Sequence, residues 1–377
     1  MSSPNNLPPT MRALVLDTVG EPLQLRNVPT PQPTPGTVVI KVLATGADAS
    51  LRTILSGKHM FTFPTPMIPG SRSVGRVAAS GPDTTSLKVG QLVMTEPFVR
   101  GRDNTDVEIL WGVWEGPSPE TKKFYKDNWS QGTYAEYCRA PLENTWALNE
   151  EVLCKDLGVT IPEMTYFASQ LVPYAGLRTI GLTAGETLIV APATGNFSGG
   201  AIGPALAMGA NVIATGRDIN KLLKMKKVFP RINVIELTGD VQKDTAAIIS
   251  VYGKPADAYI DVSPPASNGS THVRACFKAV KQYGRVSLMG VISDDIAIPY
   301  ADAVLRNLTI RGQYMYTQAD VKAYIKLVES GALKVGKEAG VEVVGTFGLE
   351  EINRAFEISD ENRDHGKMTA LLPSGPL

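Results

Sequence analysis

The chain has 377 residues, 37 basic and 37 acidic, with 43% apolar and 20% charged residues. That length accommodates two domains with a core each, and the balanced charge argues against a general nucleic-acid or anionic-membrane surface. No apolar run approaches the ~20 residues of a membrane span. The opening Met1–Thr10 reads as a short disordered arm without a signal pattern, and Ser374–Leu377 carries no retention or lipidation motif. A cytoplasmic protein is the expectation. Cys138, Cys154 and Cys276, like His59, His272 and His365, share no metal-type or redox-type spacing. No metal site of mixed Cys and His ligands is expected, and no spacing of carboxylates points to one.

The first 150 residues read as β-rich. Arg12–Leu16 and Thr37–Leu43 are apolar, strand-like runs, separated by Gly20-Glu-Pro22 and the proline series Pro29, Pro31, Pro33 and Pro35. Ser73–Ala79 and Gln91–Thr95 continue the pattern. Short strands punctuated by Gly and Pro predict a barrel or sandwich. From about residue 160, helix-like stretches alternate with apolar runs: Thr187–Ala191, Asn211–Thr215, Val234–Leu237, Ala258–Val262, Arg285–Met289 and Leu308–Arg311. The intervening Ile219–Lys227, Val241–Val251 and His272–Lys281 have helical spacing or length. Six such strands predict a doubly wound α/β domain with a buried parallel sheet. Gln318–Ser330 reads as an amphipathic helix with Val321, Tyr324, Ile325 and Val328 on one side.

The first strand of this second half runs into Pro192-Ala-Thr194-Gly195-Asn196-Phe197-Ser198-Gly199-Gly200. A dinucleotide site needs a turn poor in side chains there, so that a pyrophosphate can approach backbone N–H groups at a helix start. The spelling is degenerate, and Pro204 falls within the helix expected to follow. By itself the turn fits a ligand-free βα connection equally well. The second strand ends Thr215-Gly216-Arg217. Gly216 stands where NAD-binding chains keep an acid for the ribose hydroxyl, and an arginine next suits a 2′-phosphate. Lys221, one helical turn on, adds charge. Asp218 is the contrary signal, unless it caps the helix. NADPH is the cofactor this pattern predicts.

The opening Met11–Val15, Val39–Ala44, Pro69-Gly70-Ser-Arg-Ser-Val-Gly75-Arg-Val77, Gly132–Tyr137, Leu182–Val190, Glu350–Phe356 and Gly366-Lys-Met368 resemble the medium-chain dehydrogenase/reductase superfamily over almost the whole chain. The resemblance implies a GroES-like β-rich catalytic domain and a Rossmann domain. It implies a discontinuous catalytic domain, residues 1–168 and 313–377, around a cofactor domain at 169–312. It also implies an active site in the cleft between them and favours a homodimer. The loop Met289-Gly290-Val291 and Lys367 would then lie on the cofactor side.

The departures define the branch. Zinc alcohol dehydrogenases of this superfamily place a cysteine near position 48, a histidine after the Pro-Gly pair and an acid next; this chain has Asp48, Ser71 and Arg72. Phe167–Val172 lacks the third ligand cysteine, and no four-cysteine lobe precedes residue 130. One carboxylate cannot make a zinc site of His, Cys and carboxylate ligands. The chain therefore resembles the zinc-independent branch of quinone oxidoreductases and enoyl reductases, in which NADPH reduces a polarised C=C or C=O bond. Asp48 and Arg72 are expected to pair in the vacated metal space and to orient Ser50 or a water as proton donor; a purely structural ion pair is the other reading. Thr53 falls where quinone reductases commonly keep a tyrosine. Tyr174 is placed near the nicotinamide, or in the core. Where the zinc lobe would be, Val107–Gln131 carries Trp111, Trp114 and Trp129, a wall for a flat apolar substrate or a small core of its own. The resemblance implies a substrate that is an α,β-unsaturated carbonyl, a quinone or a related C=O or C=N compound. A chain that binds NADPH without turnover, as sensor or scaffold, stays open as the alternative.

Overall fold

A computed structural model describes residues 7–377. The expected N-terminal arm lies outside the described residues as far as position 6, and the chain is already in a strand at Thr10. In chain order come β1 (Thr10–Val15), β2 (Gln24–Pro29), β3 (Thr37–Gly46), α1 (Ala49–Leu55), β4 (Ser73–Ser80), β5 (Leu92–Thr95), β6 (Phe98–Arg100), β7 (Glu108–Leu110), α2 (Pro119–Phe124), β8 (Tyr137–Pro141), β9 (Thr145–Ala147) and α3 (Ile161–Met164). Then follow α4 (Phe167–Thr179), β10 (Thr187–Ala191), α5 (Asn196–Gly199), α6 (Ile202–Ala207), β11 (Asn211–Gly216), α7 (Ile219–Val228), β12 (Asn233–Glu236), α8 (Val241–Ser250) and β13 (Ala256–Asp261). The last are α9 (His272–Lys278), β14 (Val280–Leu288), α10 (Tyr300–Leu305), β15 (Thr309–Gly312), α11 (Gln318–Glu329), β16 (Glu342–Phe347), α12 (Ile352–Glu361) and β17 (Lys367–Leu371).

The chain forms two compact units. The first holds the residues up to Tyr166 with Glu342–Arg363 and Lys367–Leu377; the second holds Phe167–Val341 with Asp364–Gly366. In the first, β16-β17-β3-β4-β5-β9 form one sheet, and β8 also pairs with β3. β3 is its centre. Val38, Val39, Ile40, Val42 and Ala44 are buried in nearly unbroken succession, because β3 is covered on both faces. β1 and β2 form an antiparallel pair beside it. In the second unit the order is β12-β11-β10-β13-β14-β15, all parallel. Successive strands are laid outward in opposite directions from the junction of β10 and β13, the point at which doubly wound sheets open a crevice at the strand C-termini.

Two expectations are corrected. The segment 313–341, expected in the catalytic domain, belongs to the second unit. Its helix α11 turns Val321, Tyr324 and Val328 onto α4. There the Tyr324 hydroxyl donates to Gln170 Oε1 at 2.8 Å, its ring meets Phe167 and Tyr174 at 5.9 Å each, and Arg178 pairs with Asp320. Burial of that apolar stripe assigns the helix. The single helix expected after the glycine turn is split instead, into α5 and α6. Pro204 has no N–H to donate to Gly200, and a Cβ at Gly200 would lie 2.0 Å from the Ser169 carbonyl oxygen of α4. Among the described residues no helix is long and apolar enough to cross a membrane.

Candidate functional site

In the first unit β3 ends at Gly46 and delivers Asp48 to the N-cap position of α1. Its carboxylate does not cap. The Ala49 N–H goes to Ser359 Oγ of α12 at 3.0 Å, and the carboxylate turns to Arg72, whose Nη2 donates to both oxygens at 2.7 Å. The loop before β4 sets the guanidinium. Gly70 holds φ +101°, and a Cβ there would lie 2.5 Å from the Tyr134 ring. Gly46 leaves room for the guanidinium above it, since a Cβ would stand 3.1 Å from Arg72 Nε. Thr45 Oγ1 donates to the Arg72 carbonyl at 2.6 Å and lies 2.8 Å from Thr133 Oγ1, while the Tyr134 hydroxyl donates to the Gly46 carbonyl at 2.9 Å. Burial and the Asp48 charge raise the Tyr134 phenol well above its ordinary range, so it stays a neutral donor. The expected Asp48–Arg72 pair therefore forms, with Arg72 14% and Asp48 34% exposed. A long-range signal for Thr45, Thr133 and Tyr134 was absent from the sequence, because their role is to pack beneath the pair.

The other residues expected here separate from it. Ser50 is exposed and hydrogen-bonds to neither member of the pair. Thr53 is exposed and spends its hydroxyl on the Ala49 carbonyl of its own helix at 3.4 Å. Trp111 is fully buried, donates Nε1–H to the Gln131 carbonyl at 2.8 Å and meets Trp129 edge-on, so it is core of the insertion and no substrate wall. Trp114 remains half-buried. It stacks on Phe61 with centroids 4.7 Å apart, and Phe61 meets His59 edge-on. Partial burial lowers the His59 pKa, and Nδ1 accepts the Phe61 N–H.

In the second unit the C-terminal ends of β10, β11, β13 and β14 gather the remaining positions. Thr194 and Gly195 form the turn, and Asn196, Phe197 and Ser198 open α5; Gly195 N–H reaches Ser198 Oγ at 3.3 Å. Gly199 is sterically required, since its Cβ would lie 2.5 Å from the Ala193 carbonyl. Gly216 is buried and Arg217 beside it is exposed. Among the described residues Arg217 makes no hydrogen bond or ion pair. Asp218 caps α7, accepting from the N–H groups of Asn220 and Lys221. Lys221 is not left as a spare cation: its Nζ pairs with Asp364 at 2.6 Å. Met289 N–H donates to the Asp261 carbonyl and Val291 N–H to the Ser263 carbonyl, each at 2.8 Å. Gly290 fits between, because a Cβ would meet Asp261 Oδ2 at 2.5 Å.

Two expected residues take other roles. Tyr174 is buried against Tyr324 and carries Arg178 over its ring, which is core packing. Lys367 belongs to the first unit and pairs with Glu342 across β16 and β17. A buried polar cluster was not anticipated. Asp261 Oδ1, at the end of β13, accepts from Ser263 Oγ at 2.6 Å and Tyr259 OH at 3.1 Å, and His272 Nε2 lies 2.8 Å from Ser263 Oγ. Asp261 at a strand C-terminus was legible; its meeting with His272 depends on where α9 returns.

A GroES-like unit and a Rossmann-type unit whose strand ends carry a glycine turn together define a nicotinamide-dependent oxidoreductase. Residues 34–150 match the alcohol dehydrogenase GroES-like domain, and residues 199–330 match the zinc-binding dehydrogenase domain. An alcohol dehydrogenase of Rhizobium meliloti is 28% identical over 95% of this chain and 98% of its own length. An L-arabinitol 4-dehydrogenase of Hypocrea jecorina is 26% identical over 90% of this chain and 86% of its own. The structure of a thermostable alcohol dehydrogenase from Pyrobaculum aerophilum shares the fold, with a TM-score of 0.74 at 21% identity over 97% of this chain and 100% of that one. The chain belongs to the medium-chain dehydrogenase/reductase superfamily.

The superfamily's two non-protein groups fare differently. Among the described residues no group of three or more His, Cys, Asp or Glu side chains is gathered to hold a metal ion, and the Asp48 carboxylate is taken up by a guanidinium. The residues present do not fit a catalytic zinc. A nicotinamide nucleotide does fit: Gly195 gives the start of α5 a position without a side chain, and the exposed Arg217 follows the end of the neighbouring strand β11.

Proposed function

We propose that the chain is an NADPH-dependent reductase working without a catalytic metal, on an α,β-unsaturated carbonyl, a quinone or a related C=O or C=N substrate. The observation that carries this reading is the Arg72–Asp48 pair, with one nitrogen shared between both carboxylate oxygens. Bound NADPH supplies the hydride. Thr194–Ser198 offer backbone N–H groups to its pyrophosphate, Arg217 clasps the 2′-phosphate, and Met289–Val291 line the nucleotide side. The Arg72 guanidinium donates to the oxygen on which negative charge grows. Asp48 holds that guanidinium in place and orders a water that delivers the proton. Ser50 is a second candidate for that proton only from its exposed position. The Trp114–Phe61 stack offers a flat apolar wall.

NADPH consumption against a panel of enones, quinones, ketones and imines tests the proposal. Turnover on at least one class is expected. Tight NADPH binding with no turnover on any would favour the sensor or scaffold instead.

A further inference from the structure

Asp364–Gly366 belongs to the second unit although Arg363 and Lys367 on either side belong to the first. The backbone fixes this short segment on the glycine turn. Asp364 forms an antiparallel bridge with Gly195, and the His365 N–H donates to the Thr194 carbonyl at 2.9 Å. The His365 ring lies so close to Gly199 that a Cβ there would stand 2.7 Å from Nδ1. Gly366 holds φ +81° against the Gly340 carbonyl, where a Cβ would lie at 2.2 Å. A carboxylate is thereby anchored, by main-chain contacts, beside the turn that begins the nucleotide edge. It accepts from Lys221 Nζ at 2.6 Å.

Gly216 has no acid of its own, and one could not be added freely: a Cβ would press on Thr194 Cγ2 at 3.2 Å. Of the two cations expected for a 2′-phosphate, Arg217 is exposed and has no hydrogen bond or ion pair among the described residues, whereas Lys221 is already paired with Asp364. We infer that Asp364 is the residue that sets discrimination between phosphorylated and unphosphorylated nucleotide, supplying from the far end of the chain the carboxylate that position 216 lacks. It withdraws Lys221 from a 2′-phosphate, repels that phosphate, and accepts from a free ribose hydroxyl. The chain then uses NADH as well as NADPH, with a smaller preference than Arg217 alone would produce. This inference rests on the NADPH reading above.

Calorimetry on the full chain with adenosine 2′,5′-bisphosphate and with 5′-AMP tests it without any substrate. In Asp364→Asn the bisphosphate is expected to bind about fivefold more tightly, as for the loss of one half-exposed charge contact, and 5′-AMP about twofold more weakly. The gain should shrink as salt is raised. Arg217→Ala is expected to weaken the bisphosphate about tenfold and to leave 5′-AMP unchanged. A bisphosphate-to-AMP ratio within about twofold of the parent in both Asp364→Asn and Asp364→Ser, with Arg217→Ala weakened as expected, overturns the role of Asp364 alone. Bisphosphate affinity untouched by Arg217→Ala, or no nucleotide bound by the parent chain, overturns the NADPH reading and this inference with it. A melting curve matching the parent's establishes that each variant is folded; Asp364→Ser carries the test if the asparagine variant is not.

Discussion

Asp48 stands at the N-cap of α1 with extended backbone and leaves the cap unmade. An N-cap carboxylate ordinarily contributes about 1 kcal/mol to its helix, so its diversion to Arg72 means that the ion pair outcompetes the cap. The pair is only partly exposed, and removing one charge strands the other. Asp48→Asn is therefore expected to lower kcat/KM about 100-fold through loss of guanidinium alignment, with NADPH affinity within about twofold of the parent. Steady-state kinetics beside calorimetry would check both. Unchanged turnover would remove Asp48 from the mechanism and leave a structural pair. Arg72→Lys should lower activity, because a single ammonium nitrogen cannot hold both Asp48 oxygens and leave other guanidinium donors for the substrate oxygen. His365 makes a different statement. Burial against Phe229 and the glycine turn holds its pKa down at about 4, against an ordinary 6.5. A depressed histidine contributes stability that is present above pH 6.5 and lost as pH falls toward 4, because the unfolded chain then binds the extra proton. The loss should be on the order of 2 kcal/mol, after allowance for partial exposure. Thermal melting of His365→Gln from pH 7 to pH 4 should show a flatter acid limb than the parent.

At the scale of elements, the turn after β10 is held more by steric fit than by helix propensity. Gly200 touches the Ser169 carbonyl so closely that any side chain must push α4 away. Gly200→Ala is expected to cost about 2–4 kcal/mol, read as a lowered Tm, while Gly253→Ala, with nothing near its Cβ but φ +66°, should cost about 1 kcal/mol. The central strands β10, β11 and β13 were legible because buried parallel strands are continuous apolar runs bounded by turns, and β10 and β11 begin where those runs begin. α11 was legible from its apolar stripe; its partner was not, since amphipathicity fixes a face and not the surface it meets. For the same reason Trp111 and Trp114, three residues apart and chemically alike, could not be told apart until one was seen buried and the other half-buried. Asp48 and Arg72 were legible as a pair only through the family's metal positions. The Lys221–Asp364 contact, 143 positions apart in sequence, had no local pattern to announce it.

At the scale of the whole molecule, the open edge strand β15 and its surroundings carry an unusual share of exposed apolar side chains: Tyr283, Tyr300, Val304, Leu305 and Tyr314. Exposed apolar side chains beside an unpaired edge strand favour a docking partner. We propose that a second copy of the chain supplies it. Sedimentation should give twice the chain mass for the parent and a shift to monomer for Leu305→Glu; a monomeric parent at micromolar concentration would contradict this. The central proposal is that a guanidinium held by Asp48 stabilises the charge developing on the substrate without a catalytic metal. It is tested most directly by NADPH-dependent reduction after exhaustive chelation, with metal content measured on the same sample. The account expects undiminished turnover with no stoichiometric zinc. Activity lost on chelation and regained with one zinc per chain would contradict it.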